Sequence, residues 1–230
     1  MNKVLAQWIE QSDNIVFFGG AGVSTESGIP DFRSERGLYK EVPEKMISHT
    51  YYVNHTADFY RFYKDKMLFP DVKPNRAHYK LAELEKSGKL KAVITQNIDG
   101  LHQAAGSVNV LELHGSVHRN FCLKCKKMYP LEYILNDRNP IPLCSCGGQL
   151  KPDVVLYEES LDMDILRAAV RYISAADMLI VGGTSLVVNP AASLITYYNG
   201  SKLVLINLSE TPYDSHADLI IREKIGTALG

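Results

Sequence analysis

Four cysteines stand in two close pairs, Cys122-x2-Cys125 and Cys144-x-Cys146, with eighteen residues between the pairs. Four thiolates at this spacing can close a tetrahedral zinc site with no position left for water, so the ion would be structural. The bland alternative is four buried or redox-active thiols. The second pair is one residue shorter than the commoner Cys-x2-Cys, which tightens the chelate loop but keeps four ligands; His118 is the nearest substitute ligand. A second cluster is Gly19-Gly20-Ala21-Gly22-Val23-Ser24, directly after the apolar run Ile15–Phe18. Glycines let a backbone approach a phosphate, and a helix start beyond them offers free N–H groups. A plain tight turn is the competing reading. The dehydrogenase fingerprint fails, because Thr25 stands where its third glycine belongs and no acid lies at the ribose-binding distance. The turn therefore fits a nucleotide phosphate but not hydride transfer. His114 follows an apolar run ending at Leu113. Its imidazole titrates near neutrality and can take a proton from a hydroxyl, although a histidine at a strand end is more often structural. Asn97 and Asp99 follow another such run, in residue types that also serve turns and caps.

These side chains need a frame that gathers them. Short apolar runs at Ile15–Phe18, Ala92–Thr95, Val108–Leu113, Val154–Tyr157, Met178–Val181 and Leu203–Asn207 read as strands covered on both faces. Helical patterns lie between them. Asn75–Ser87 follows Pro74, carries Leu81 and Leu84 on one face and stops before Gly88. Asp164–Ser174 is a second helix, and Asn189-Pro190-Ala191 reads as an N-cap followed by proline at the first helical position. This alternation predicts an α/β, doubly wound parallel sheet. Two stretches interrupt it. Residues 36–74, rich in Tyr, Phe, Lys and His, read as a small helical insert packed by Tyr60 and Tyr63; residues 118–152 hold every cysteine and read as a small zinc-binding insert. The large domain is then discontinuous, 1–35, 75–117 and 153–230, with a ligand crevice between it and the inserts.

Composition narrows the class. The 230 residues carry 25 Lys+Arg and 26 Asp+Glu for a net charge of -1, with 46% hydrophobic residues. Such a chain folds, and it offers no large cationic face for nucleic acid or anionic lipid. Lys124, Lys126 and Lys127 form only a small basic knot. No apolar run approaches a membrane span, and the amphipathic start around Trp8 is unlike an export signal, so a cytoplasmic enzyme is expected.

The run from Gly20 to Ser34, Gly-Ala-Gly-Val-Ser-Thr-Glu-Ser-Gly-Ile-Pro-Asp-Phe-Arg-Ser, closely resembles the first signature of the sirtuins, the NAD-dependent protein-lysine deacylases. Thr95–His102 with Ala105-Gly106 is similar to their second signature. Leu111–Ser116 is similar to their catalytic-histidine segment, and Gly183–Val188 and Asn207 to two further NAD-contacting segments. The blocks keep family order across most of the chain. The resemblance implies a Rossmann-like fold and one consumed NAD. It makes His114 the general base acting on the NAD ribose and places Asn97 against ribose and the attacking water. Asp99 would meet the nicotinamide amide, Gln96 the ribose, and Ile98 would line the nicotinamide pocket. Phe32 would cover the reacting sugar and Arg33 would neutralise pyrophosphate. Gly20, Ala21, Gly22 and Thr25 form the phosphate turn; Gly183, Thr184, Ser185, Asn207, Lys224 and Ile225 would hold the adenosine side.

In the same family an exposed strand edge pairs with the substrate backbone. Val154–Glu159 resembles that Phe-Gly-Glu-like stretch, with Tyr157 read in the place of its small residue. Val155, Tyr157 and Glu158 on one side and Val188 and Asn189 on the other would sandwich an extended acetylated peptide. Members specialised for acidic acyl groups share a Tyr-x-x-Arg pair. The matching stretch is Tyr60-Arg61-Phe62-Tyr63, and Asp31 replaces their common Thr, so a neutral acyl chain is expected. The reading is a monomeric NAD-dependent protein-lysine deacetylase releasing nicotinamide and O-acetyl-ADP-ribose. The alternatives are protein ADP-ribosyl transfer from the same pocket and, in another class, a zinc-ribbon nucleic-acid module.

Overall fold

The structure, a computed structural model, describes residues 2–35 and 37–230. Met1 and Arg36, the first residues of two predicted segments, lie outside the described residues. In chain order the helices and strands are α1 (Lys3–Gln11), β1 (Ile15–Gly19), α2 (His49–Asn54), α3 (Thr56–Lys66), α4 (Arg76–Lys86), β2 (Leu90–Thr95) and α5 (Leu101–Ala104). Then come β3 (Val110–Glu112), β4 (Gly115–Cys122), β5 (Met128–Pro130), α6 (Leu131–Asn136) and β6 (Leu150–Val154). The chain continues through α7 (Met163–Ala175), β7 (Met178–Gly182), β8 (Leu203–Ile206), β9 (Leu219–Ile221) and α8 (Ile225–Leu229).

Six strands form a parallel sheet in the order β3-β2-β1-β7-β8-β9. The chain winds outward from β1 on one side and returns to its other side with β7, so the switch point lies between these two central strands. β1 shows why it is central: every residue is buried. Ile15 and Phe17 pack with Leu81 and Leu84 of α4 on one face, and Val16 and Phe18 pack with Ala169 and Ile173 of α7 on the other. Two covered faces explain an apolar strand without alternation.

Caps set the helix starts. The Asn75 side chain accepts from the Ala77 N–H at 2.9 Å and the His78 ring accepts from the Asn75 N–H at 3.2 Å. Asp162 accepts from the Asp164 and Ile165 N–H groups and starts α7. The first helix beyond the glycines is absent: Ala21–Val23 and Thr25–Ser27 are two short 3-10 turns, stopped by Gly28 at φ 97°. The expected helix at Pro190 is also corrected. Ala191 is the cap, without a side-chain bond, and Ala192–Tyr197 is a 3-10 helix.

A second, antiparallel sheet, β5-β4-β6, carries the cysteines. Its pairing begins at Gly115 against Val154, inside the stretches assigned to the large domain. The strand expected over Val154–Tyr157 is instead β6, which ends at Val154. Beyond it the chain turns away, and the Tyr157 N–H donates to the Ile47 carbonyl. Both inserts feed one apolar cluster. Tyr52, Phe59, Tyr60 and Tyr63 of the helical segment pack with Tyr129, Leu131, Ile134 and Leu150 of the cysteine segment. The Tyr60 hydroxyl donates to the Leu150 carbonyl at 2.6 Å.

Candidate functional site

A cleft of about 700 Å³ opens where the parallel strands end, between the large sheet and the smaller sheet with its helices. This volume is ordinary for a small-molecule site. The residues immediately after β1, β2, β7 and β8 all face it: Gly20, Gln96, Gly183 and Asn207. Two turns meet at the switch point. The Gly20 N–H donates to the Gly182 carbonyl at 3.3 Å and the Gly22 N–H to the Gly183 carbonyl at 2.8 Å. A Cβ on Gly22 would stand 2.7 Å from the Gly183 Cα, so this contact requires a bare backbone. Among the described residues the Ala21 N–H has no acceptor.

The segment after β2 supplies the densest polar chemistry. The Asn97 side-chain amide donates to the Ser24 hydroxyl at 3.1 Å, and that hydroxyl donates to the Asp99 carboxylate at 2.6 Å. The other Asp99 oxygen accepts from the Leu101 N–H at the start of α5. Gln96 donates to the Thr184 hydroxyl at 3.0 Å, joining the ends of β2 and β7. Ser24 is the hub of this chain, yet its sequence signal is only a serine within a glycine-rich turn. It lines the cleft at 1% exposure.

His114 enters from the loop between β3 and β4. Its Nδ1 lies 3.0 Å from the Gln96 carbonyl oxygen. A carbonyl only accepts, so Nδ1 carries the proton and Nε2 keeps its lone pair. Burial lowers the imidazole pKa below the ordinary histidine value, against the opposing pull of the Gln96 carbonyl. The ring is therefore a neutral base at pH 7, with its orientation fixed.

The cleft brings together nearly all the expected residues. Gly20, Ala21, Gly22, Phe32, Arg33, Gln96, Asn97, Ile98, Asp99, His114, Gly183, Thr184, Ser185 and Asn207 line it, as do Val155, Tyr157, Glu158, Val188 and Asn189. Three do not. Thr25 is exposed and its hydroxyl turns back to the Gly22 carbonyl. Lys224 precedes α8, and Ile225 is buried in the core beneath Gly182. α8 supports the glycine turn from behind, because the Gly226 N–H donates to Glu26 at 2.7 Å.

Arg33 donates to the Tyr157 hydroxyl and to Glu44, both at 3.1 Å, and its guanidinium lies over the Tyr39 ring. Tyr60 and Tyr63, at the places of the Tyr-x-x-Arg pair, have 0% exposure and lie in the core, packing the helical segment. The positive φ of 76° falls on Glu158, which makes Glu158, and not Tyr157, the position of the small residue in that stretch.

The four cysteine sulfurs lie within 4.8 Å of one another. The Cys122–Cys146 and Cys125–Cys144 pairs are each 3.5 Å apart, close to the roughly 3.8 Å edge of a zinc–thiolate tetrahedron. The Cys125 and Cys146 N–H groups donate to the Cys122 and Cys144 sulfurs, and the Tyr129 hydroxyl donates to Cys144. Two of the four sulfurs thus collect donors as zinc-bound thiolates do, and the four-sulfur cluster fits one structural zinc ion. His118 is not needed; its Nε2 reaches the Asp99 carbonyl instead.

Residues 20–190 match the model of the Sir2 family. The NAD-dependent protein deacetylase of Clostridium tetani is 62% identical over 99% of this chain and 95% of its own length. That of Sulfolobus acidocaldarius is 46% identical over 97% of this chain and 90% of its own. A solved Sir2 structure with a p53 peptide and NAD+ superposes with a TM-score of 0.91 at 42% identity, covering 100% of this chain and 96% of that one. Another, with deacetylated p53 peptide and 3'-O-acetyl ADP ribose, gives 0.92 at 42% identity over 99% of this chain and 95% of that one. With the glycine turn, the cleft histidine and the four-cysteine cluster in one frame, this chain belongs to the Sir2 family.

Proposed function

We propose that the protein is an NAD-dependent protein-lysine deacetylase that consumes NAD and releases nicotinamide and O-acetyl-ADP-ribose. The observation that carries this reading is the cleft at the strand switch point, which a half-buried neutral imidazole shares with the Ser24–Asn97–Asp99 chain. Relatives at high identity are named NAD-dependent protein deacetylases.

The residues fit NAD. Ala21 offers an unpaired N–H at the turn, Arg33 a guanidinium at the rim, and Asn97 a side-chain oxygen without a donor among the described residues. Gly20, Gly22, Gly183, Thr184, Ser185 and Asn207 would hold the phosphate and adenosine side; Gln96, Asn97, Ile98, Asp99 and Phe32 the nicotinamide-ribose side. When bound, NAD supplies an activated glycosidic carbon and accepts the acyl group. His114 Nε2 accepts the ribose hydroxyl proton, with Nδ1 held by Gln96. Asn97, oriented by Ser24, fixes ribose and water. Asp99, anchored by Ser24 and the Leu101 N–H, binds the nicotinamide amide.

The substrate is an acetylated protein, bound as an extended peptide between Val155–Glu158 and Val188–Asn189. Tyr157 would contribute its side chain, because its N–H and carbonyl already bond Ile47 and His49. The neutral acyl preference rests on Tyr63 standing where the Tyr-x-x-Arg pair has its Arg, not on contact with the cleft. We extend the proposal to the threefold domain division, a monomer, a cytoplasmic location, and no nucleic-acid or lipid partner. Charge balance supports the last point, and no helix among the described residues is long and apolar enough to cross a membrane.

The test is NAD consumption with an acetyl-lysine peptide and mass spectrometry of all products, beside His114→Ala. Equal amounts of lysine peptide, nicotinamide and acetyl-ADP-ribose, lost in the variant, are expected. A peptide heavier by an ADP-ribosyl group would replace the reading with sugar transfer.

A further inference from the structure

Glu158 is one of three non-glycine residues at positive φ among those described, and it lies on the cleft. A residue with a Cβ adopts this conformation only when its surroundings over-determine it. The surroundings here are specific. The Glu158 carboxylate accepts from the Thr50 N–H at 2.8 Å, in the first turn of α2. That bond holds the carboxyl pKa below the usual glutamate range. The preceding residue is fastened to the same segment, with the Tyr157 N–H donating to Ile47 and the His49 N–H donating to the Tyr157 carbonyl, both at 3.0 Å. Glu159 closes the far side, pairing with His49 at 2.8 Å and Lys151 at 3.0 Å and accepting from the Leu156 N–H at 2.9 Å. Between these fixed neighbours, the Glu158 N–H and carbonyl have no partner among the described residues.

We infer that Glu158 is a positioning residue for substrate peptide: its carboxylate, tied to Thr50, holds its own backbone in the left-handed conformation that presents a free N–H and carbonyl to an incoming strand. This deepens the deacetylase reading and rests on it. Glycine at this position would relieve the positive φ but would leave the free backbone groups unfixed. Glutamine keeps an oxygen acceptor for the Thr50 N–H and removes only the charge. The tether and the charge are therefore separable.

The experiment measures kcat and both KM values for wild type, Glu158→Gly and Glu158→Gln with an acetyl-lysine peptide. Amide hydrogen exchange at Thr50 is read in the free proteins. Glu158→Gly should raise peptide KM about five- to tenfold, the range of one ordinary hydrogen bond lost, with NAD KM and kcat within about twofold. Thr50 exchange should accelerate in that variant. Glu158→Gln should recover the wild-type peptide KM and the Thr50 protection. Unchanged peptide KM in Glu158→Gly overturns the inference, because a purely conformational glycine position would behave so. Equal KM rises in both variants overturn it as well, since charge and not the tether would then act. A wild-type chain that turns over no acyl-lysine peptide refutes the deacetylase reading itself, whatever the exchange shows.

Discussion

His78 and His102 form a buried pair behind the site, with ring centroids 4.7 Å apart and 0% and 1% exposure. Both nitrogens of His102 and the Nε2 of His78 have no partner among the described residues. Burial drives the His78 pKa down to about 4, with Asp99 pulling the other way. Burial, and then the neighbouring His78, drives His102 down to about 3. In the unfolded chain both imidazoles take up protons near pH 6.5; in the folded chain they stay neutral through that range. Stability is therefore full above pH 6.5 and declines as pH falls toward about 4. At pH 5 each neutral ring costs about 2 kcal/mol relative to pH 8, so the pair costs about 4 kcal/mol. His102→Leu is close in volume and removes two unpartnered nitrogens, so it should be tolerated at neutral pH. Melting curves at pH 8 and pH 5 measure the difference. The fall in Tm of the variant should be smaller than that of wild type by about 4–8 °C, at 2–4 °C per kcal/mol for a chain of this size. His114, also lowered by burial, contributes equally to both proteins and cancels. Equal falls in Tm for the two proteins would refute the assignment of acid lability to this pair.

Gly22→Ala would drive a methyl to 2.7 Å from the Gly183 Cα and 2.8 Å from its carbonyl oxygen, both backbone atoms that cannot step aside. It should raise NAD KM at least tenfold, about 1.4 kcal/mol, while retaining zinc; an unchanged KM would show that the two turns are not packed as described. Metal analysis should find one zinc per chain, and a strong chelator should lower both Tm and activity. A zinc-free chain with unchanged Tm would reduce the cysteines to ordinary thiols. Because burial lowers His114, the acidic limb of kcat/KM should have its midpoint below pH 6.5; a midpoint above 7 would contradict the neutral tautomer held by Gln96.

The large sheet was readable because its strands are apolar on both faces and its helices carry local stop and start signals. Asn75 is a clear case: the cap, the proline before it and the glycine beyond fall where the chain needs them. The smaller sheet hid from the same reasoning. β4 contains Arg119 and Asn120, and β6 contains Lys151-Pro152-Asp153, so neither shows a strand pattern. Arg119 instead pairs with Glu112 and Asp153, a long-range arrangement with no local signature. Val154–Tyr157 looked like a strand because its residues are apolar, but tertiary bonds to Ile47 and His49 decide its course. In the site, His114 and Asn97 stood out through strand ends and family likeness. Ser24 did not, since a hydroxyl becomes a hub only when Asn97 and Asp99 arrive from another strand. Ile225 shows where likeness and packing speak of different atoms. Its side chain fills the space under Gly182, so any contact with a ligand would fall to its backbone.

The winding order has a consequence for how the site comes into being. β1 carries the glycine turn, yet it is flanked by β2 on one side and β7 on the other. During synthesis from the N-terminus, that turn waits, first for Leu90–Thr95 and then for Met178–Gly182. Gly22 meets the Gly183 carbonyl, and Glu26 its partner Gly226, only after those later residues have left the ribosome. A partly made chain thus has the signature motif without its binding geometry. The completed glycine turn therefore comes after the cysteine lobe and His114 have been made.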